Sequence, residues 1–453
     1  MTEKWHDLTA QVEKILSIAL VALLAASTVF AGISGDASLS LGYNFKDGSY
    51  GFSNDNSVSV NLDLASETAE SVGEGNVVAG VKATFGVKVA DQNGPKGSYI
   101  WNSANKNIGI GTFFSVKEAY VKGADWKVAI KGTVDGPYFA SSAIDGDYYK
   151  VVKDAFGNKF DWTYIPVSYS VDYHKAPGVT VTAKDWTIAL GGNGGKLYAS
   201  EDFLNYHASV FSPEFNLAEG LTAKAAAIAS GIKNAKTNNV YDPSNCYDAF
   251  GASAEIAYAA DAFSAKVAAD FGMKKTVGTD TFKADFDVAA NVAVSAFTID
   301  GYYYYGAKLL SAKVKVDLNE FEVPVALTVT GKDLLNKKNL SAKVAASVDA
   351  VEGSVSVGYG IESKKVSVSG SASYAAEKFT ASAGVTFATV LETENSNQFY
   401  VTASIESDAI VPGATLALTY ADPDGANSTL NLLDGQVPPK NLGAVTASCT
   451  IAF

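Results

Sequence analysis

Few residues of this chain could do chemistry. Removing the first 31 residues leaves two histidines, His174 and His207, and two cysteines, Cys246 and Cys449. A metal site or hydrolytic centre needs such groups to converge, with a histidine poised beside a nucleophilic hydroxyl in the second case. His174 reads as a turn residue and His207 as a strand residue, which argues against a shared site. Serines are scattered throughout, so none stands out as a nucleophile. Two cysteines far apart make no disulfide framework and read as unpaired thiols.

Two loop-like motifs deserve the same test. Gly191-Gly192-Asn193-Gly194-Gly195-Lys196 is glycine-rich like a phosphate loop, but no Ser or Thr follows Lys196 and no helical periodicity follows. It reads as a flexible loop. Asp422-Pro423-Asp424-Gly425-Ala426-Asn427 has the acid and glycine spacing of a calcium turn but lacks the closing glutamate, so a solvated loop tip is expected. No catalytic residue, cofactor or metal ligand is assigned, and the chain reads as a non-enzyme.

The positioning elements are far more legible. The formal net charge is −13, and removing residues 1–31 takes away two lysines and three carboxylates, leaving about −12. All 35 basic residues are lysine. An acidic chain without arginine or a basic block is not built for nucleic acid. Residues 15–30 form a small-and-aliphatic run, and Val29-Phe30-Ala31 precedes Gly32 in the pattern of a signal-peptidase site, so residues 1–31 read as a signal peptide. Residues 1–11 mix acids with bases, so position 12 is a candidate true start, with Val12 as initiator codon. Neither cysteine stands just after the apolar run, so the chain does not read as a lipoprotein. Hydrophobic residues make up 47% of the chain, yet mean hydropathy is only +0.08. Beyond residue 31 no apolar stretch approaches the roughly 18–20 residues of a spanning helix.

Period-2 alternation dominates from Gly32 onward. Val58, Val60, Leu62 and Leu64 alternate with Ser57, Ser59, Asn61 and Asp63; Val366, Val368 and Tyr374 alternate with Ser367, Ser369 and Ser373. Each such run has one apolar and one polar face. The runs, among them 282–292, 321–329, 340–348 and 379–387, are about 9–11 residues long, which is the span of a tilted strand crossing a bilayer. Short and longer links alternate back from the C-terminus. Trp126, Phe263, Phe297, Phe321 and Phe379 follow short turns, as in an interfacial girdle. The last strand alternates in phase with the terminal Phe453, resembling the signal read by barrel-assembly machinery. The expected fold is therefore an all-β transmembrane antiparallel up-and-down β-barrel over residues 32–453, without a plug domain. About 22 strands are expected, within a range of about 18–24.

Parity assigns charges to the lumen: Lys82, Lys88, Lys127, Lys131, Lys224, Lys266, Lys283, Lys313, Lys315 and Lys343. The acids of that face are Asp63, Asp172, Glu255, Asp270, Asp285, Asp287, Asp317, Glu322 and Glu406. The signs nearly balance, so weak ion selectivity is expected. The longest link, 135–161, carries Tyr138, Phe139, Tyr148, Tyr149 and Phe156, with which it could pack against the wall. Asp145, Asp147 and Asp154 against Lys150, Lys153 and Lys159 would then line a constriction.

The run Ser71-Val72-Gly73-Glu74-Gly75-Asn76-Val77-Val78-Ala79-Gly80-Val81-Lys82-Ala83 resembles the treponemal outer-membrane repeat proteins and major outer sheath proteins. So does Glu118-Ala119-Tyr120-Val121-Lys122-Gly123-Ala124-Asp125-Trp126-Lys127-Val128, and the resemblance covers about residues 57–130. It implies a porin-like surface protein of a spirochaete, with adhesin activity known in some relatives and no catalytic residues to carry over. The leading expectation is an integral outer-membrane porin passing small hydrophilic solutes. The rival is a surface adhesin or structural barrel that binds host or envelope material through its external loops. Expected partners are the lipid bilayer, the barrel-assembly machinery and small solutes, with homo-oligomerisation left open.

Overall fold

The computed structural model describes residues 33–44, 50–53, 57–65, 77–91, 99–101, 108–134, 176–198, 201–233, 236–237, 240–241, 246–278, 283–306, 308–393, 398–411, 413–421 and 444–452. Side chains with a period of two dictate strands, and the described chain is almost entirely strand. Twenty-two of them form a closed antiparallel barrel. The first strand, Ile33–Asn44, closes it by pairing on one edge with Ser57–Ala65 (Ala37↔Val58) and on the other with Ala444–Ala452 (Ala37↔Ile451). Closure pairs the first strand on both sides, where an open sheet would present a row of unpaired backbone groups. No described helix is long and apolar enough to cross a membrane. Among the described residues, the helical element that bears on the wall is the 3₁₀ turn Leu318–Phe321.

Successive strands are hairpin neighbours around the wall. At one end the links are tight. Lys184 and Asp185 (φ 47° and 68°) join Ala176–Ala183 to Trp186–Tyr198, a pair of left-handed residues whose twist matches the strands. Asp261-Ala262, Ser295-Ala296 and Asp349-Ala350 make equally short turns at the same end. In the longer link before Leu221–Lys233, Gly220 has φ 70°, and a Cβ there would sit 2.2 Å from the Ala259 carbonyl oxygen, so only glycine fits. Links at the other end are generally longer, although those at 199–200, 305–308 and 361–364 are short.

Two sequence expectations change. Gly191 to Lys196 is no loop: it lies inside Trp186–Tyr198 and pairs in register with Glu201–Phe211 (Asn193↔Asn205, Gly194↔Leu204). Glycine removed the alternation that would have revealed the strand, but not its backbone pairing. The strand expected from Phe321 begins at Val325 instead. Glu322 therefore leaves the lumen wall; it caps the 3₁₀ turn at φ 60° and is exposed. Pro324 lacks an N–H for a strand ladder, which fits the later start. Trp126–Val134 pairs directly with Ala176–Ala183, from Trp126↔Ala183 at the short-turn end to Val134↔Ala176 at the other. His174, Asp172 and the link 135–161 lie outside the described residues, as does the Asp422–Asn427 motif.

The two faces differ in kind. Val267, Ile299, Val329 and Val355 share one parity and are 50%, 50%, 57% and 57% exposed. Asp270, Asp287, Tyr302, Leu309 and Ser311 share the other and are buried. Side chains converge on the concave side of a closed sheet and splay on the convex side. The polar parity therefore faces the lumen and the aliphatic parity faces outward.

Candidate functional site

The site is the lumen wall, which divides into two chemical sectors. Between Ser57–Ala65 and Asn339–Val348 the inward positions carry rungs of opposite charge. Asp63 and Lys82 stand directly opposite on neighbouring strands, 3.2 Å apart. Glu118 meets Lys127 at 2.5 Å, and Lys127 Nζ lies 4.6 Å from the Tyr120 ring centroid. Glu255 holds Lys224 at 3.0 Å and Lys266 at 3.6 Å. Asp300 takes Lys313 at 2.8 Å and accepts from Asn291 at 2.6 Å. Lys315 reaches Asp317 at 2.9 Å. Each pair joins oppositely charged side chains on a wet wall, so their worth to stability is small. Their effect is to keep the sector polar with little net field.

From Val351–Gly360 round to Ile33–Asn44 the inward positions are mostly serine, threonine, glycine and alanine. Ser354 and Ser371 hydroxyls are 2.9 Å apart, and those of Ser382 and Ser404 are 2.6 Å apart. Across the boundary, Ser59 donates to Asp36 at 2.7 Å. Where the sectors meet near the short turns, a concavity of about 550 Å³ is lined by Lys315, Asp317, Lys343, Glu352, Ser354 and Ser371, among others.

The inward parity also holds Lys88, Lys131, Asp270, Asp285 and Asp287. Lys283 lies at the start of Lys283–Val294 with only its backbone described, and His207 likewise on Glu201–Phe211. The candidate constriction residues Asp145, Asp147, Lys150, Lys153, Asp154 and Lys159, and the terminal Phe453, lie outside the described residues. Neither Cys246 nor Cys449 is in a disulfide. Among the described residues no three His, Cys, Asp or Glu side chains converge as a metal site.

Parity alone missed one inward aromatic. Ile108–Lys122 carries a bulge at Lys117: Lys82 pairs with Glu118, but Ala83 pairs with Val116. The extra residue reverses which side chains face in. Phe113 thereby turns to the lumen over Gly86, where a Cβ would lie 2.2 Å from its ring tip. Tyr120, beyond the bulge, lies over Gly80 in the same way. The glycine-for-aromatic spacing was the signal available, but it needs the strand register to be read.

Outward, aromatic rings collect at strand ends. Trp126, Trp186, Phe263, Phe297 and Phe379 are all exposed at the short-turn end. Trp186 meets Phe215 edge-on at 6.2 Å and Tyr374 meets Phe379 at 6.3 Å. At the other end Phe286 stacks on Tyr305 at 4.9 Å. Two aromatic girdles flank an aliphatic band.

No protein-family model and no curated protein matches the chain. Among solved structures, the translocation pore of the P pilus usher aligns over 93% of this chain and 99% of that one, with 11% identity and a TM-score of 0.39. Two mutant porins of Rhodopseudomonas blastica align over the same shares at 12% identity, with TM-scores of 0.29 and 0.30. The assignment to closed β-barrels rests on the strand pairing itself and not on these scores.

Proposed function

We propose that the protein is an outer-membrane porin through which small hydrophilic solutes diffuse passively. The observation that carries this reading is the sidedness of the closed wall. Half-exposed Val, Ile, Leu and Phe face outward between two aromatic girdles, and ion pairs and hydroxyls face inward. An aliphatic surface of that extent needs a lipid solvent, and a polar inner wall needs water. Passive diffusion needs no reaction, only a hydrated path. The resemblance of residues 57–130 to treponemal outer-membrane proteins points the same way.

A tube of 22 strands is wider than the 16–18-stranded porins that already conduct. We assign the narrowing to the link containing 135–161, with Asp145, Asp147 and Asp154 facing Lys150, Lys153 and Lys159. Reconstitution into planar bilayers tests both statements. The purified, heat-modifiable protein should give discrete conductance steps, and failure to conduct would remove the porin reading. Deleting residues 143–153 should enlarge the steps. Unchanged steps with normal assembly would place the constriction elsewhere.

A further inference from the structure

We propose that the recess where the two lumen sectors meet binds short zwitterionic peptides, with the carboxylate end at Lys343 and the ammonium end at Glu352. Such a site rests on the porin reading and supplies its solute class.

The charged rungs elsewhere on the wall set opposite charges side by side, and here the register does not. Lys343 stands between Thr328 and Ser356. Glu352 stands between Ser347 and Ser373. Both side chains are exposed, and both line the recess of about 550 Å³. Among the described residues neither enters an ion pair, whereas the other two charges of the recess, Lys315 and Asp317, hold each other at 2.9 Å. The recess therefore offers a solute one cation and one anion, with no net charge.

The spacing sets the length of that solute. Lys343 pairs with Ser356, which is four residues along its strand from Glu352. At about 3.4 Å per residue and about 4.8 Å between strands, the Lys343 and Glu352 Cα atoms lie about 14 Å apart. Allowing about 3 Å for each charge-assisted contact leaves about 8 Å between the charges of the solute. An extended chain spans about 3.3–3.6 Å per residue, so about two or three residues fill the gap. Between the two ends Ala345 and Ser354 are opposed on one rung, with Ser371 next to Ser354. Alanine leaves room for the solute's own side chains. The Ser354 and Ser371 hydroxyls, 2.9 Å apart, can each donate and accept, as peptide N–H and C=O groups require. Both charged ends stand in water, where an ion pair is worth little, so the solute is held weakly enough to leave.

Saturation-transfer NMR on the folded full-length barrel in detergent reads binding without any reference to conductance. Tri-alanine should show saturable transfer. The same peptide acetylated at its amino end and amidated at its carboxyl end should show none. Lys343→Glu and Glu352→Lys should each weaken tri-alanine binding by about fivefold or more, because reversal turns an attraction into a repulsion. The double variant Lys343→Glu, Glu352→Lys should recover it, since a zwitterion fits turned end for end. Heat-modifiable migration establishes that each variant has assembled, and if one fails to assemble the capped peptide decides. No saturable transfer, equal binding of the capped peptide, unchanged binding in a reversed variant, or a double variant as weak as the single ones would overturn the site. A barrel that conducts but does not bind tri-alanine loses this site alone. One that binds tri-alanine without conducting loses the porin reading.

Discussion

Val368 and Ser369 are neighbours in sequence and face opposite solvents. Val368 is 40% exposed on the outer face, and Ser369 lies on the inner one. A lysine on the lipid face near the bilayer midplane costs about 2–4 kcal/mol, so Val368→Lys should block assembly. Ser369→Lys meets water and should assemble normally. Comparing heat-modifiable yield of the two variants checks this, and equal yields would refute the sidedness. Gly220 is a different case, because backbone geometry and not solvent decides it. Its φ of 70° and the close Ala259 carbonyl leave no room for a methyl group. Gly220→Ala should therefore destabilise the barrel by more than about 1 kcal/mol in urea unfolding. A change within a few tenths would mean that the turn relaxes freely.

At the scale of the strand, parity was the most legible feature and also the one most easily broken. Alternation in 365–375 reads directly as Lys365–Ala375, because small inward serines and larger outward residues keep the period clean. Ile108–Lys122 is not readable that way, since the Lys117 bulge reverses its faces midway and nothing local announces the extra residue. Glycines hid the strand at 191–196 by erasing contrast between faces. Phe321 reads as a strand start and so puts Glu322 on the wall, whereas Pro324 marks the break. The charged rungs were legible as residues but not as pairs, because cross-strand partners depend on register. Cysteine labelling tests the bulge. In a background with Cys246 and Cys449 replaced by serine, Phe113→Cys should react with a water-borne thiol reagent and Phe114→Cys should not. The reverse pattern would remove the bulge and the inward position of Phe113.

For the whole molecule, the net charge is concentrated at one end. Asp125, Asp185, Glu214, Glu219 and Asp261 project from the short-turn links, followed by Glu320, Glu322, Asp349 and Glu377, and all nine are exposed. Only Lys184 and Lys378 oppose them among the described residues of these links. The link between Ala65 and Val78 adds Glu67, Glu70 and Glu74 and no lysine. Twelve carboxylates against two lysines make an excess of ten, most of the roughly −12 carried by the chain beyond residue 31. The wall inside contributes less, since Asp63, Glu118, Glu255, Asp300 and Asp317 are each matched by lysine. Near balance along the wall led to the expectation of weak selectivity, and the rim alters where any selectivity must arise. A ring of carboxylates at a pore mouth raises the local cation concentration. Such a field reaches about 30 Å at 0.01 M salt but only about 3 Å at 1 M. In bilayers under a salt gradient the channel should therefore prefer cations at low salt and approach indifference at high salt. The combined variant Glu320→Gln, Glu322→Gln and Asp349→Asn should reduce the low-salt preference while leaving the high-salt conductance unchanged. A reversal potential favouring anions, or one that does not move with salt, would show that the rim does not govern entry.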